Sequence, residues 1–246
     1  MSKQGKLELI EKEEAGDKDY LSVPALELIE AFGEGNHIPG SGSASALSGL
    51  IGVELMKTVL KLSIGREGYE DKKKEFEFIL KTIEEQFIDT YKNLFNSDIK
   101  IFHDVSYYRR LRDKAAEGST EKEKYGQTAV DKLKEATDIP IEICETSLQL
   151  MKNAFFIFDN GYKATRGDSG VAISNLLSSA QGALFIVFLN LKTLKKSQWK
   201  EDKMKKAVSL ALRFTQIQKE AYRRVISLYN ESSDDNQLTL DFYKED

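Results

Sequence analysis

Two glycine-bearing loops and two aspartates in this chain have the residue types that acid/base and anion-binding chemistry needs. The first loop is Pro39-Gly40-Ser41-Gly42-Ser43. Its glycines let backbone approach a ligand, and the free N–H groups at a helix start attract negative charge, so Gly40, Ser41, Gly42 and Ser43 are candidate ligand contacts. The same residues also suit a plain turn with Ser43 as helix N-cap. The second loop runs from Gly161 to Gly167 and leads into Asp168. In a cleft of low polarity Asp168 can act as a general acid or base; otherwise it is a capping carboxylate. Asp98, close to Phe102 and His103, is the second candidate carboxylate. Its plain reading is the cap of a helix that starts there, and His103 near it has the intrinsic pKa of a proton shuttle.

Other chemistries lack their motifs. The chain has no HExxH, no EF-hand loop and no paired Cys/His cluster, so no metal is assigned. It has no GxxxxGK[ST], no GxSxG and no visible nucleophile triad.

The elements that must position these residues read as helices. A short one starts at Ser22 with Pro24 in its first turn and ends at Gly33. Ser43 to Ile64 is a first core helix, with Leu47, Leu50, Ile51, Leu55, Val59 and Leu62 on a wide apolar face. Ala44, Ser45, Ser48, Gly49 and Gly52 give it a small-residue side that admits another backbone. A helix from Glu70 to Leu94 should break near Asn96-Ser97, with Asp98 starting the next. Arg112 to Lys124 reads as a charged surface loop. A helix from Glu121 to Thr137 precedes one that Pro140 begins and Asn160-Gly161 ends. The second core helix starts at Asp168, and a final helix covers Trp199 to Tyr229. No alternating strand pattern of substance occurs. The expected fold is therefore all-α: a single bundle of about seven helices around two buried, charge-free core helices.

Bulk properties fit that fold. Hydrophobic residues at 41% and charged residues at 31% exclude a disordered chain. A net charge of −4 gives no global footprint for nucleic acid, so no nucleic-acid partner is expected. A single cysteine, Cys144, fits a reducing compartment, and the charged first 20 residues lack a secretory pattern, so the expected location is cytoplasmic. Val171 to Leu191 is uncharged for long enough to span a bilayer, but its serines, asparagines and glutamine favour a buried helix, and no membrane partner is expected.

Taken in order, the motifs resemble the formiminotetrahydrofolate cyclodeaminase / methenyltetrahydrofolate cyclohydrolase family. Its Pro-Gly-Gly-Gly-Ser opening is similar to Pro39-Gly40-Ser41-Gly42-Ser43, and its Gly-Lys-x-x-Tyr turn to Gly65-Arg66-Glu67-Gly68-Tyr69. Asp98-Ile99-Lys100-Ile101-Phe102 resembles Asp-x-x-Ala-Phe, and Ile139-Pro140-Ile141 resembles Val-Pro-Leu. Gly167-Asp168-Ser169-Gly170-Val171-Ala172 is similar to Ser-Asp-Ala-Gly-Val-Ala, and Leu189-Asn190-Leu191 to Ile-Asn-Leu. The resemblance covers roughly Leu21 to Tyr229. It departs where the family's Gly-Asn-x-Asn-Ala is Gly161-Tyr162-Lys163-Ala164-Thr165, and where the Ser before Asp168 is Gly167.

The resemblance implies one-carbon chemistry on a tetrahydrofolate derivative as substrate, with no bound cofactor and no metal. It implies a homodimer. Asp168 is the first choice and Asp98 the second for the catalytic acid/base. Arg66 would pair with a folate carboxylate, Tyr69 and Phe102 would flank its rings, and Gly167 would join the first loop in ligand contact. The alternative is a catalytically altered member serving as a binding or scaffold protein. The expected division is a polar segment 1–20, a helical domain 21–230 and an acidic tail 231–246. Within that tail Gln237-Leu238-Thr239-Leu240-Asp241-Phe242 resembles the peptide that docks on bacterial sliding clamps, a second implied partner.

Overall fold

The computed structural model describes residues 18–232. The tail motif Gln237–Phe242 lies outside them. The described chain forms α1 (Ala25–Gly33), α2 (Ser41–Ser63), α3 (Lys73–Thr82), α4 (Ile88–Lys114), α5 (Thr120–Asn160), α6 (Arg166–Thr193) and α7 (Gln198–Ser232). A single π turn, Ile83–Phe87, carries α3 into α4 without a break, so the described residues form six rods rather than about seven. No strand occurs among the described residues.

Two expected breaks are absent. Asn96 and Ser97 lie inside α4, because Tyr91, Leu94, Phe95 and Ile99 keep one apolar face continuous through them. Asp98 therefore starts no helix. Pro140 likewise sits inside the 41-residue α5. A proline there leaves the carbonyl four residues earlier without its N–H donor. That carbonyl belongs to Ala136, and Asn190 on α6 donates its side-chain amide to it at a long 3.4 Å. The expected loop from Arg112 to Lys124 shrinks to five residues, since α4 runs to Lys114 and Ser119 caps α5 by accepting the Lys122 N–H at 3.2 Å.

α2 and α6 run antiparallel at the centre. Gly182 faces Ser45, Gly52 faces Ala172 and Leu176, and Gly161 faces Val59 and Ser63. The small-residue side of α2 is thus consumed within the chain. A Cβ on Gly52 would come 3.0 Å from the Ala172 carbonyl oxygen, and one on Gly182 would come 2.5 Å from Ser45 Oγ. Gly49 instead receives Tyr91, whose hydroxyl meets Ser147 Oγ at 2.8 Å; Ser147 in turn bonds Ser179 at 2.9 Å. This buried triad ties α4, α5 and α6 together with every hydroxyl satisfied.

The two core helices, expected to be buried and charge-free, are neither free of charge nor buried all round. α2 carries Glu54, Lys57 and Lys61 in its second half. α6 is uncharged from Val171 to Leu191 but buries only one side: Ala172, Leu176, Ala180, Ala183 and Val187 face the core, while Val171, Phe185 and Leu189 are exposed. Both helices are long and apolar enough to cross a membrane by length and composition. Their buried sides are packed against each other and against the rest of the bundle.

Candidate functional site at the opening of α2

α2 begins with a defect that a distant residue repairs. Its N-cap is Gly40, which has no side chain to accept the orphan N–H groups of the first turn. Ser43, the third residue of the helix, bends its hydroxyl back to accept the Gly40 N–H at 2.9 Å. The reciprocal acceptor comes from α4: Asp98 Oδ2 takes the Ser43 N–H at 2.7 Å. Ser43 is therefore not the N-cap but the reaching residue of half a capping box, and Asp98 completes the box.

This fit is tight. A Cβ on Gly42 would lie 2.0 Å from Asp98 Oδ1, so only glycine lets the carboxylate seat against the helix start. Asp98 is 8% exposed, and burial pushes its carboxyl up to about 6, while the hydrogen bonds from Ser43 pull it partly back down. Burial outweighs a favourable N–H and helix dipole, leaving a carboxyl poised between its two protonation states near neutral pH. Around it, Ser41 is exposed, Phe102 is half-buried and meets the exposed His37 edge-on with centroids 6.5 Å apart, and His103 is buried on the same helix. Beyond Gly182, which faces Ser45, α6 carries the exposed Phe185 and Leu189.

The remaining candidates gather at the other end of α2. Arg66 stacks its guanidinium 3.5 Å above the Tyr162 ring, Tyr69 meets the same ring edge-on, and the Tyr69 hydroxyl accepts the Lys163 N–H at 3.1 Å. Twenty helical residues separate Ser43 from Ser63, about 30 Å at ~1.5 Å per residue. The structure thus splits the predicted residues into two groups. Gly40, Ser41, Gly42, Ser43, Asp98 and Phe102 form one; Arg66 and Tyr69 form the other.

Asp168 and Gly167 belong with the second group by position. α6 starts at Arg166, two residues earlier than expected, which places Asp168 in its first turn. Its side chain is half-buried and forms no hydrogen bond or ion pair among the described residues, so it is not the N-cap. Gly167 is exposed, with open space where a Cβ would stand. The two glycine loops look alike in sequence, but only the first is held against a buried acid. Among the described residues no three His, Cys, Asp or Glu side chains gather closely enough to hold a metal ion.

Sequence reasoning missed the Ser43–Asp98 contact and the stacking role of Tyr162. The first spans 55 positions and leaves no local trace. Tyr162 follows Gly161 directly, and its aromatic ring in a polar loop was the signal available.

Residues 24–209 match the family described as formiminotransferase-cyclodeaminase. A curated relative, a methenyltetrahydrofolate cyclohydrolase from Methylorubrum extorquens, is 26% identical over 210 residues, covering 83% of this chain and 98% of the relative. The solved structure of a formiminotetrahydrofolate cyclodeaminase from Thermotoga maritima shares the fold with a TM-score of 0.72 at 19% identity, over 85% of this chain and 98% of that one. The match over most of the bundle, including both α2 and α6, shows that the chain belongs to the formiminotransferase-cyclodeaminase family.

Proposed function

We propose that this protein is a tetrahydrofolate one-carbon enzyme of the methenyltetrahydrofolate cyclohydrolase or cyclodeaminase type, with Asp98 as its acid/base. The observation that carries the assignment is the buried Asp98 carboxyl, raised to about 6 and aimed at the opening of α2. The match to a relative named as the cyclohydrolase over nearly its whole length supports the substrate class.

The cyclohydrolase reaction needs one group that takes a proton and returns it. As water adds to the methenyl carbon, the Asp98 carboxylate accepts a proton from it and a tetrahedral carbinolamine forms. Protonated Asp98 then gives that proton to N5 as the carbon–N5 bond breaks. The hydroxyl loses its proton to solvent, leaving 10-formyl-tetrahydrofolate. In the cyclodeaminase direction the same acid protonates the formimino nitrogen, N10 closes on the carbon, and the N10 proton passes to the amino group, which leaves as ammonia as its bond to the carbon breaks. The α2 amides favour an anionic group beside the ring, and Phe102, with Phe185 and Leu189, offers apolar surface for it.

Asp98 replaces Asp168 as the first choice because it is buried, held in a fixed orientation by the Ser43 N–H, and raised by that burial to about 6. Arg66 and Tyr69 lie too far from Asp98 to hold the same ligand within one chain. In a twofold dimer whose axis crosses α2 near its middle, one chain's α2 opening meets its partner's Arg66–Tyr69 end. The exposed Ile51, Leu62, Val171, Phe185 and Leu189 supply apolar surface for such a homodimer. The domain is 21–230, flanked by 1–20 and 231–246, and the proposed location is cytoplasmic.

The test is the loss of methenyl-tetrahydrofolate absorbance in the presence of purified protein, together with ammonia release from 5-formimino-tetrahydrofolate. Acceleration of either, abolished by Asp98→Asn, is expected. Rates equal to buffer with both substrates would overturn the enzymatic reading and leave a folate-binding or scaffold role.

A further inference from the structure

A cavity of about 460 Å3 opens where the first half of α5, the end of α6 and the start of α7 meet, and it shares no lining residue with either group described above. Its lining includes Lys134, Lys195, Lys196, Gln127, Ser197 and Trp199, and no aspartate or glutamate. Lys134 pairs with Asp131 at 2.9 Å, an acid that also accepts from the Gln127 amide at 3.1 and 3.2 Å, and Lys196 pairs with Glu201 at 3.8 Å; both acids stand outside the lining. Lys195 has no acidic partner among the described residues. Such exposed ion pairs are weak and exchange readily for a better anion.

The helix termini add to the same sign. α7, 35 residues long, starts at this cavity: Ser197 accepts the Lys200 N–H through its hydroxyl at 3.3 Å and the Glu201 N–H through its carbonyl at 3.0 Å. The positive end of its dipole therefore faces the space. The opposing negative end of α6 is masked, because Lys200 Nζ donates to the Leu194 carbonyl at 2.6 Å. Three ammonium groups, of which Lys195 is unpaired, a helix start and a masked helix end give the lining a single sign of charge in a chain that is acidic overall.

We propose that this cavity is a second ligand site, which takes a small multivalent oxyanion. The charges suit clustered phosphate or carboxylate oxygens, with the Ser197 hydroxyl as a neutral donor and the Trp199 ring as an apolar wall. The site is independent of the folate reading, since none of its residues touches Asp98 or Ser43.

Trp199 is the only tryptophan, so the tryptophan fluorescence of the chain arises at the lining of this cavity. The full chain is titrated at low ionic strength with inorganic pyrophosphate and, separately, with citrate. A saturable change with either probe is expected, and the tighter of the two tells whether a phosphate or a carboxylate compound is the source. Lys134→Ala/Lys195→Ala should weaken the tighter probe about tenfold or more, as expected for lost charge-assisted bonds. Its thermal melting should be unchanged, and Lys195→Glu, at an exposed position, should abolish the change. Absence of saturation with both probes, or equal affinity in the wild type and Lys195→Glu, would overturn the proposal.

Discussion

Asp98 holds the first turn of α2 from a different helix, its Oδ2 taking the Ser43 N–H at 2.7 Å across 55 residues of chain. The contact makes one carboxyl both an N-cap in trans and the most perturbed acid at the site. Those two roles predict different responses to the same substitutions.

Asp98→Asn separates stability from turnover. The folded pKa of about 6 lies above the unfolded value of ~3.9. The folded state therefore binds more protons between these values, and stability falls as pH rises from about 4 to 6, then levels, by on the order of 2–3 kcal/mol. Asp98→Asn keeps an acceptor for Ser43 and removes the charge. Urea unfolding across this window should lose that slope, and the variant should be at least as stable as wild type at pH 8. Activity of the wild type should rise with pH through about 6 as the base form appears. An unaltered slope in the variant would dissociate the carboxyl from the pH dependence.

Gly42→Ala and Gly167→Ala make a matched pair. The first puts a Cβ 2.0 Å from Asp98 Oδ1, while the second meets nothing within 4 Å. Gly42→Ala should cost about 1–3 kcal/mol, typical of overpacking, and most of the activity. Gly167→Ala should leave both near wild type. Thermal melts and initial rates on the two proteins check this.

Asn190→Ala should destabilise the bundle by about 1 kcal/mol, the usual net value of one hydrogen bond. The Pro140 ring leaves the Ala136 carbonyl needing a donor, which Asn190 supplies. Pro140→Ala, which restores an N–H to that carbonyl, should erase most of the effect of Asn190→Ala in a double-mutant cycle. An additive cycle would mean that the two residues are not coupled.

Mixing Asp98→Asn with Arg66→Ala tests whether two chains share a site. If the dimer joins the two ends of α2, the equilibrated mixture should recover about a quarter of wild-type activity. Half the dimers are then mixed, and each holds one intact site of two. No recovery from two inactive variants that form dimers by light scattering would place both functions in one chain. Asp168→Asn alone should retain most turnover, since the carboxyl is half-buried and holds no partner among the described residues.

Much of the fold was legible in the sequence because it depends on local periodicity. The apolar spacing fixes an all-α bundle, and the positions of α1, α2, α6 and α7 follow within a few residues. The breaks expected at Asn96-Ser97 and Pro140 are absent because tertiary burial overrides local signals. Phe95 and Ile99 hold α4 together, and Asn190 compensates for the proline. The exposed side of α6 was hidden for a related reason: an uncharged stretch reads the same whether one face or all of it is covered.

The sequence by itself determined that glycine loops open the two core helices and that acids lie near candidate sites. Only the tertiary structure decided which acid matters. Capping, desolvation and steric exclusion act through space, so Gly42, Ser43 and Asp98 become one site only when α4 lies across the opening of α2. The length of α2 by itself sets Arg66 and Tyr69 about 30 Å from that opening, at ~1.5 Å per helical residue, whereas only the packing brings Tyr162 and Lys163 of the second loop against them.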